Sequence, residues 1–468
     1  MSNTLEVDPP ARPRTAVQQG GSSPTPDAAM KRRVLLGGAV GQFIEFYDFG
    51  LYSISAVTLS RVFFPETDSW IALLATFATF GVAFLVRPLG GLFFGRMGDR
   101  HGRRVVLFVT ILLIGIATAG IGLLPGYATI GIVAPFALLF FRLVQGFSAG
   151  GESVGAPTFA LEHAPLNRRG LWLGVVLAAS SIPVVVSSVF LLLLETNMGA
   201  EAFAAWGWRI PFVVALPLSL VGLWIRSRTE ESEEFLRASR AEAAAAAAAT
   251  VKPARPRMQV RTMVQVILLT GLIALGFYYT SGYLVAFLQT TAGLTHIQTL
   301  TVTSITVLII AASTPVLGLV GDRVGRRPMM LFGATATVLL ALPAFLILSR
   351  GTMVSGIIGQ LLFGLAVLVF SAGAYPFAVE VFSTKVRFTS AALSYNLGYG
   401  IFGGTAPLLA TWLVGVTGHA IAPGIYAAGF AAIILLVLVF GGVPETHPLK
   451  APKGSPHHRD MITQGAER

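Results

Sequence analysis

The chain has 468 residues, of which 54% are hydrophobic and only 12% charged, with a formal net charge of +11. Roughly half the charge content of an ordinary soluble domain excludes a globular enzyme of average composition. Cysteine is absent, which excludes a disulfide framework and a thiolate metal site.

In chain order, residues 1–30 are polar, rich in Pro, Ser and Gly, and lack the apolar core of a signal peptide, so they read as a disordered cytoplasmic tail. Lys31, Arg32 and Arg33 then anchor the first of twelve apolar runs, at about 34–60, 70–95, 104–124, 132–161, 170–194, 208–226, 263–289, 297–321, 328–349, 353–381, 388–413 and 420–442. Runs of about 20 residues cross roughly 30 Å of hydrocarbon as helices, and no ten-residue alternation suggests barrel strands. The fold class expected is all-α integral membrane: twelve transmembrane helices as two pseudo-symmetric six-helix bundles. The bundles span 31–226 and 263–447, joined by a cytoplasmic central loop at 227–262 and followed by a cytoplasmic tail at 448–468. Of the 33 Lys and Arg, only Arg61, Arg209 and Arg350 fall on the outer side, while Arg87 and Arg142 lie within runs. The rest lie on the side of the amino terminus, which is the positive-inside distribution. The basic balance is therefore a topology signal, and no nucleic-acid partner is expected.

The first helix carries Glu45 and Asp48, three apart on one face and roughly 15–20 Å beyond the Lys31–Arg33 anchor. The second carries Arg87 and ends in Gly95-Arg-Met-Gly-Asp-Arg-His-Gly-Arg-Arg104, which returns as Gly318-Leu-Val-Gly-Asp-Arg-Val-Gly-Arg-Arg327. A hairpin written twice in an apolar background indicates duplicated membrane bundles. Gly91, Gly95 and Gly98 suit close helix packing, Gly102 a tight turn, and Asp99 the positive end of the helix that follows. Arg100, Arg103 and Arg104, with Arg323 and Arg326 in the second copy, remain for pairing with acids of nearby loops, and Asp99 and Asp322 for pairing with arginines of those loops. The fourth helix adds Arg142, Gln145 and Glu152 beside Gly146, Gly150, Gly151 and Gly155. Glu162 with Arg169, and Glu380 with Arg387, repeat a second pattern at equal spacing. These clusters are expected to form a cytoplasmic gate that breaks in one state; the plainer alternative is that they only fix topology.

Ionised groups inside a bilayer are costly and mark water-filled paths. Three acids and two arginines sit in the first bundle. The second offers Tyr278, Tyr279, Tyr283 and Gln289 in the seventh helix and Tyr395, Asn396 and Tyr399 in the eleventh. One half is expected to handle ions while the other shapes a pocket. His101, His163, His296 and His419 lie near loops and read as surface residues, and no His-Glu-x-x-His motif occurs.

The paired hairpins resemble those of the major facilitator superfamily, and Leu138-x3-Arg142-x2-Gln145-Gly146 resembles its fourth-helix motif, whose arginine goes with proton-coupled members. Gly41-Gln-Phe-Ile-Glu45-Phe-Tyr-Asp48-Phe, Arg87-Pro-Leu-Gly90, Trp206-Gly-Trp-Arg-Ile-Pro211 and Val443-Pro-Glu-Thr446 are similar to the metabolite–proton symporter branch. The likeness covers roughly residues 31 to 447. It implies a carrier of organic acids such as 2-oxoglutarate, citrate or shikimate, or of osmolytes such as proline and betaine. The stretch from Leu124 through Glu152 resembles the 2-oxoglutarate permeases more than the others.

The resulting expectation is a proton-coupled secondary transporter that imports a small organic acid by alternating access. It needs no cofactor beyond the proton gradient. Glu45, Asp48 or Glu152 takes the proton. Arg87 or Arg142 grips a carboxylate, with Gln145, Tyr278, Tyr283, Tyr395 and Asn396 in the binding site. The expected setting is a bacterial inner membrane, with both termini cytoplasmic and the chain a monomer in the lipid bilayer. A proline/betaine-type osmolyte symporter and an exporter of the same fold are the alternatives. An intramembrane aspartyl protease is disfavoured, since Tyr47-Asp48 lacks a Gly-x-Gly-Asp partner.

Overall fold

A computed structural model of the chain describes residues 43, 46–65, 68–101, 103–150, 161, 164–228, 260–382, 387–447 and 449–450. The twelve membrane helices are α1 (46–63, interrupted at Ser55), α2 (Ser69–His101), α3 (Arg103–Leu123), α4 (Val133–Ala149), α5 (Arg169–Met198) and α6 (Ile210–Arg228). They continue as α7 (Val260–Thr290), α8 (His296–Val324), α9 (Arg326–Leu348), α10 (Met353–Glu380), α11 (Arg387–Thr417) and α12 (Ala422–Phe440). Among the described residues, nine helices are long and apolar enough to cross a membrane, while α3 and α4 contribute shorter apolar helices. Large apolar side chains such as Leu85, Phe136, Leu339 and Phe440 are 64–79% exposed on the outside of the bundle, as a lipid-facing surface requires.

The end of the bundle where α8 meets α9 at the second repeat is called the repeat end, and the opposite one the far end. Two seams join the halves. One is α5 against α8; the other sets α2 against α11. Both are backbone-close because the sequence places glycine there. A Cβ added at Gly170 would come within 2.4 Å of the Gly318 carbonyl, and one at Gly81 within 2.9 Å of the Gly404 carbonyl. Within the first half α2 and α4 are tighter still. A Cβ at Gly90 would meet the Phe147 carbonyl at 1.8 Å, and one at Gly146 the Ala83 carbonyl at 1.9 Å. Small residues that let helix backbones touch replace the hydrophobic driving force that lipid removes.

Gly95 behaves otherwise. Expected in such a contact, it is exposed, and a Cβ added there would meet nothing within 4 Å among the described residues. Gly146→Ala should therefore push α2 and α4 apart and destabilise the protein by about 1–3 kcal/mol. Gly95→Ala should leave stability unchanged or raise it by up to about 1 kcal/mol. Thermal unfolding of the two variants in detergent compares them; equal melting would refute the packing argument.

The helices start and stop where local chemistry directs. Thr295 with Gln298 forms a capping box ahead of α8, and Thr352 with Ser355 ahead of α10. Gly325, at φ 112°, makes the tight turn between α8 and α9 that Gly102 was expected to make in the first copy. Two helices depart from α geometry near mid-length, with π-turns at Tyr279–Tyr283 in α7 and Tyr399–Gly403 in α11. Such turns free a carbonyl and recur at functional sites. In α7, Gln360 Nε2 of α10 donates to the Thr280 carbonyl at 2.7 Å.

Candidate functional site

Three groups of residues bear on function, the first lying wholly in the amino-terminal half. Asp48 on α1 is 2% exposed, and neither carboxylate oxygen has a hydrogen-bond partner among the described residues. Arg142 on α4 is fully buried. Its guanidinium lies 4.2 Å from the ring centroid of Tyr52 and 5.1 and 5.2 Å from those of Phe49 and Phe80. One nitrogen, Nη1, donates to Gln145 Oε1 at 2.8 Å, and Gln145 Nε2 in turn donates to Thr118 Oγ1 at 2.7 Å. Nε and Nη2 of Arg142 find no partner among the described residues. Arg87, 6% exposed, stands 4.5 Å from the rings of both Phe49 and Phe84. This is a chamber of buried charges in which, among the described residues, aromatic faces hold both guanidiniums. Cation–π contacts of this kind are worth about 0.5–2 kcal/mol each, well short of cancelling the cost of burying a charge. Glu45 and Glu152, the other two expected proton carriers, lie outside the described residues.

The second group is a cavity of about 80 Å³ lined from both halves, chiefly by α5, α7, α8 and α10, with Tyr399 from α11. Ser180, Ser181, Thr280, Ser281, Thr314 and Ser371 supply hydroxyls, and Phe46, Phe277, Tyr375 and Tyr399 supply rings. Among the described residues, no charged side chain lines it. Arg87, Arg142 and Gln145, expected in the binding site, are not among its described lining residues. Tyr278, Tyr395 and Asn396 are also absent from the lining. Tyr278 packs between the two spaces, with its ring 5.4 and 5.3 Å from Phe80 and Phe84 and 6.3 Å from Tyr399. Tyr395 stacks on Tyr399 at 4.2 Å, and Asn396 donates to its own helix at the Ala392 carbonyl. Tyr283 borders a different space, between the far ends of α2, α7 and α11. Sequence reasoning missed Tyr375, whose hydroxyl meets that of Tyr399. Its position in α10, five residues before Glu380, carried no polar pattern to reveal it.

The third group closes the α5–α8 seam. Asp322 was expected in the gate beside arginines of the neighbouring loops, and Asp99 also to serve the helix after it. Instead α2 continues through His101 and α8 through Val324. Asp322 turns across to the other half and accepts from the backbone N–H groups of Gly170 and Leu171, at 2.7 and 2.9 Å. It thus caps the amino terminus of α5, where unpaired N–H groups and the helix dipole favour a carboxylate. Fully buried Arg326 donates to Asp322 at 3.0 Å and reaches Glu380 at 3.4 Å, and Arg169 stands 3.9 Å from Glu380. Glu380 was expected with Arg387; the arginine that turns back from α9 is nearer, and the side chain of Arg387 lies outside the described residues. So do the side chains of Asp99 and Arg103, and residues Gly102 and Glu162 altogether. Arg100 and Arg323 are exposed; Lys450 donates to the Arg323 carbonyl. At the far end His296 contradicts its reading as a surface residue: Nδ1 meets Glu195 of α5, with both side chains at most 16% exposed.

The segment after α12 completes the repeat-end cluster. Both carboxylate oxygens of Glu445 accept from the backbone N–H groups of Arg326 and Arg327 at 2.9 Å, capping α9, while Thr446 donates to Glu380 at 3.0 Å. His447 is 1% exposed; its Nδ1 accepts from the Leu449 N–H and its Nε2 has no partner among the described residues. Burial, then the neighbouring Arg326 charge, pulls the His447 pKa below the ordinary histidine value, against the opposing pull of Glu380, Asp322 and Glu445. A lowered pKa means the unfolded chain binds the proton more readily. The stabilisation is then present above the unfolded value, about 6.5, and is lost as pH falls from there through the folded value. Melting temperature should fall more steeply below pH 6.5 for the parent than for His447→Asn, and parallel curves would remove this reading.

The chain has matches among known proteins over most of its length. The profile of the "Sugar (and other) transporter" family covers residues 34–451. The proline/betaine transporter of Escherichia coli K12 is 34% identical over 436 residues, spanning 91% of this chain and 86% of that protein. The ectoine/proline transporter of Corynebacterium glutamicum is 35% identical over 441 residues, spanning 89% and 85%. Among solved structures, the partially occluded inward-open xylose transporter of E. coli aligns with a TM-score of 0.70 at 18% identity, over 90% of this chain and 99% of that one. At that identity the likeness concerns the fold alone.

Proposed function

Because this chain belongs to the sugar (and other) transporter family of the major facilitator superfamily, we propose that it imports a small zwitterionic osmolyte of the betaine and proline class, driven by protons. The family membership makes it a multi-pass membrane transporter of a small molecule. The observation that carries the substrate class is the cavity: hydroxyls and tyrosine rings, with no charged side chain among the described residues of its wall. A dicarboxylate entering it would bury net negative charge without a counter-ion, which is costly. A zwitterion brings its own. Its ammonium group suits aromatic faces, and its carboxylate suits the tyrosine and Ser181 hydroxyls, the protons of Thr280, Ser281, Thr314 and Ser371 being given to carbonyls of their own helices. The relatives' names point the same way. The organic-acid reading, which rested on Arg87 and Arg142 facing the substrate, loses its geometric basis.

Proton coupling falls to the separate charged chamber. Asp48 is the carrier, beside Arg87 and Arg142, and by sequence the same bundle also carries Glu45 and Glu152. With all three acids ionised the set is one negative charge in excess, and with one protonated it is neutral, so loading a proton removes a buried charge. With the repeat end facing the cytoplasm, the Asp322–Arg326–Glu380 cluster is the inner gate and the Glu195–His296 pair the outer one. Reconstituted vesicles with an imposed inward proton gradient test the whole reading. Labelled glycine betaine or proline should accumulate and 2-oxoglutarate should not. Accumulation of 2-oxoglutarate without either osmolyte would overturn it.

A further inference from the structure

A second cavity lies at the far end of the bundle, lined by the beginning of α2 and the ends of α7 and α11. It is in series with the main cavity along α7. The π-turn Tyr279–Tyr283 contributes Thr280 and Ser281 to the main cavity and Tyr283 to this one. Three rings (Trp70, Tyr283 and Phe287) and hydroxyls of Ser69, Thr291 and Thr411 form its wall, again without a charged side chain among the described residues. We propose that this far-end cavity is a second binding site for the transported zwitterion, filled before the ligand passes the π-turn. The inference rests on the substrate class proposed above.

Two features favour occupation here. The first is room. The far-end cavity measures about 180 Å³, many times the roughly 10–15 Å³ that a single water-sized group needs. The second is placement across the moving seam. Trp70 Nε1 donates to the Thr411 carbonyl at 2.9 Å, joining α2 of one half to α11 of the other. The indole lies where Gly415 leaves room, since a Cβ there would come within 1.9 Å of the ring. A cation resting among these rings contacts both halves at once, so its arrival bears on the same contact that must separate for the ligand to descend. A simple carboxylate would find hydroxyl donors but no compensating charge, and the site is therefore selective for zwitterions over anions.

Equilibrium dialysis of the purified full-length protein with labelled glycine betaine counts the sites. Two equivalents per chain are expected for the parent. Ala286→Trp and Val414→Trp each fill the far-end cavity from a different helix, and each should reduce the count to one. Two variants guard against one of them failing to fold. Tyr399→Ala, in the wall of the main cavity, should also leave one equivalent, and that equivalent should be displaced by tetramethylammonium but not by acetate. One equivalent in the parent, or two in both tryptophan variants, overturns the second site while leaving the proposed substrate intact. No betaine bound to the parent, with 2-oxoglutarate retained, would instead overturn the substrate class itself.

Discussion

Asp48→Asn should abolish gradient-driven accumulation, reducing the steady-state accumulation ratio by about 100-fold or more, while substrate exchange at equal concentrations stays within a few-fold of the parent. The amide preserves shape and removes the only property that matters for coupling, the ability to lose a proton. Asp48 is 2% exposed with both oxygens unpartnered among the described residues, so the substitution breaks no hydrogen bond there. Buried charges are more often a stability burden than a benefit, so the variant should melt no lower than the parent. That separates loss of coupling from loss of fold. Paired measurements of uphill uptake and counterflow decide the matter. Parent-like accumulation by Asp48→Asn would eliminate Asp48 as the carrier and leave Glu45 and Glu152.

The second large effect belongs to Arg326. Arg326→Ala removes the fully buried cation that faces both Asp322 and Glu380. Removing one partner of a buried pair leaves the other uncompensated and costs about 3–5 kcal/mol. A marked fall in melting temperature is expected in any conformation that keeps the repeat end closed. Asp322→Asn is the gentler probe. The amide oxygen keeps one acceptor for the Gly170 and Leu171 N–H groups, but its NH2 replaces the other and the charge that complements the α5 dipole is gone, at a cost of about 1–3 kcal/mol. The population should shift towards an opened repeat end. The natural lack of cysteine lets one thiol introduced at Ser371, in the cavity wall, report that shift by its labelling rate. Faster labelling in Asp322→Asn is the expected result. An unchanged rate would reduce the cluster to a topological anchor.

Much of the architecture was legible without coordinates. Runs of about 20 apolar residues can only be satisfied by helices in lipid, and the repeated ten-residue signature required two similar bundles. Boundaries held within a few residues for most helices, because charge and capping residues stop an apolar run abruptly. The buried charges were legible too, since Asp48, Arg87 and Arg142 stand out in an apolar background. Their partners were not. Periodicity says which residues share a helix face and nothing about which helix that face meets. Asp322 illustrates this: its place in the signature suggested a pair with a nearby arginine, but not that it would also accept from a backbone N–H 152 positions earlier in the chain.

The sequence by itself determined the membrane class, the helix count, the duplication and the residues that carry charge, because each follows from local composition and spacing. Only the tertiary structure showed that Arg87 and Arg142 are not among the described residues lining the main cavity. It alone joined Tyr375 to Tyr399, Glu195 to His296, and Asp322 to the start of α5. The last two depend on how Gly170 and Gly318 let α5 and α8 approach to backbone contact. Close packing of that kind is a property of facing surfaces, and no single stretch of chain contains both faces.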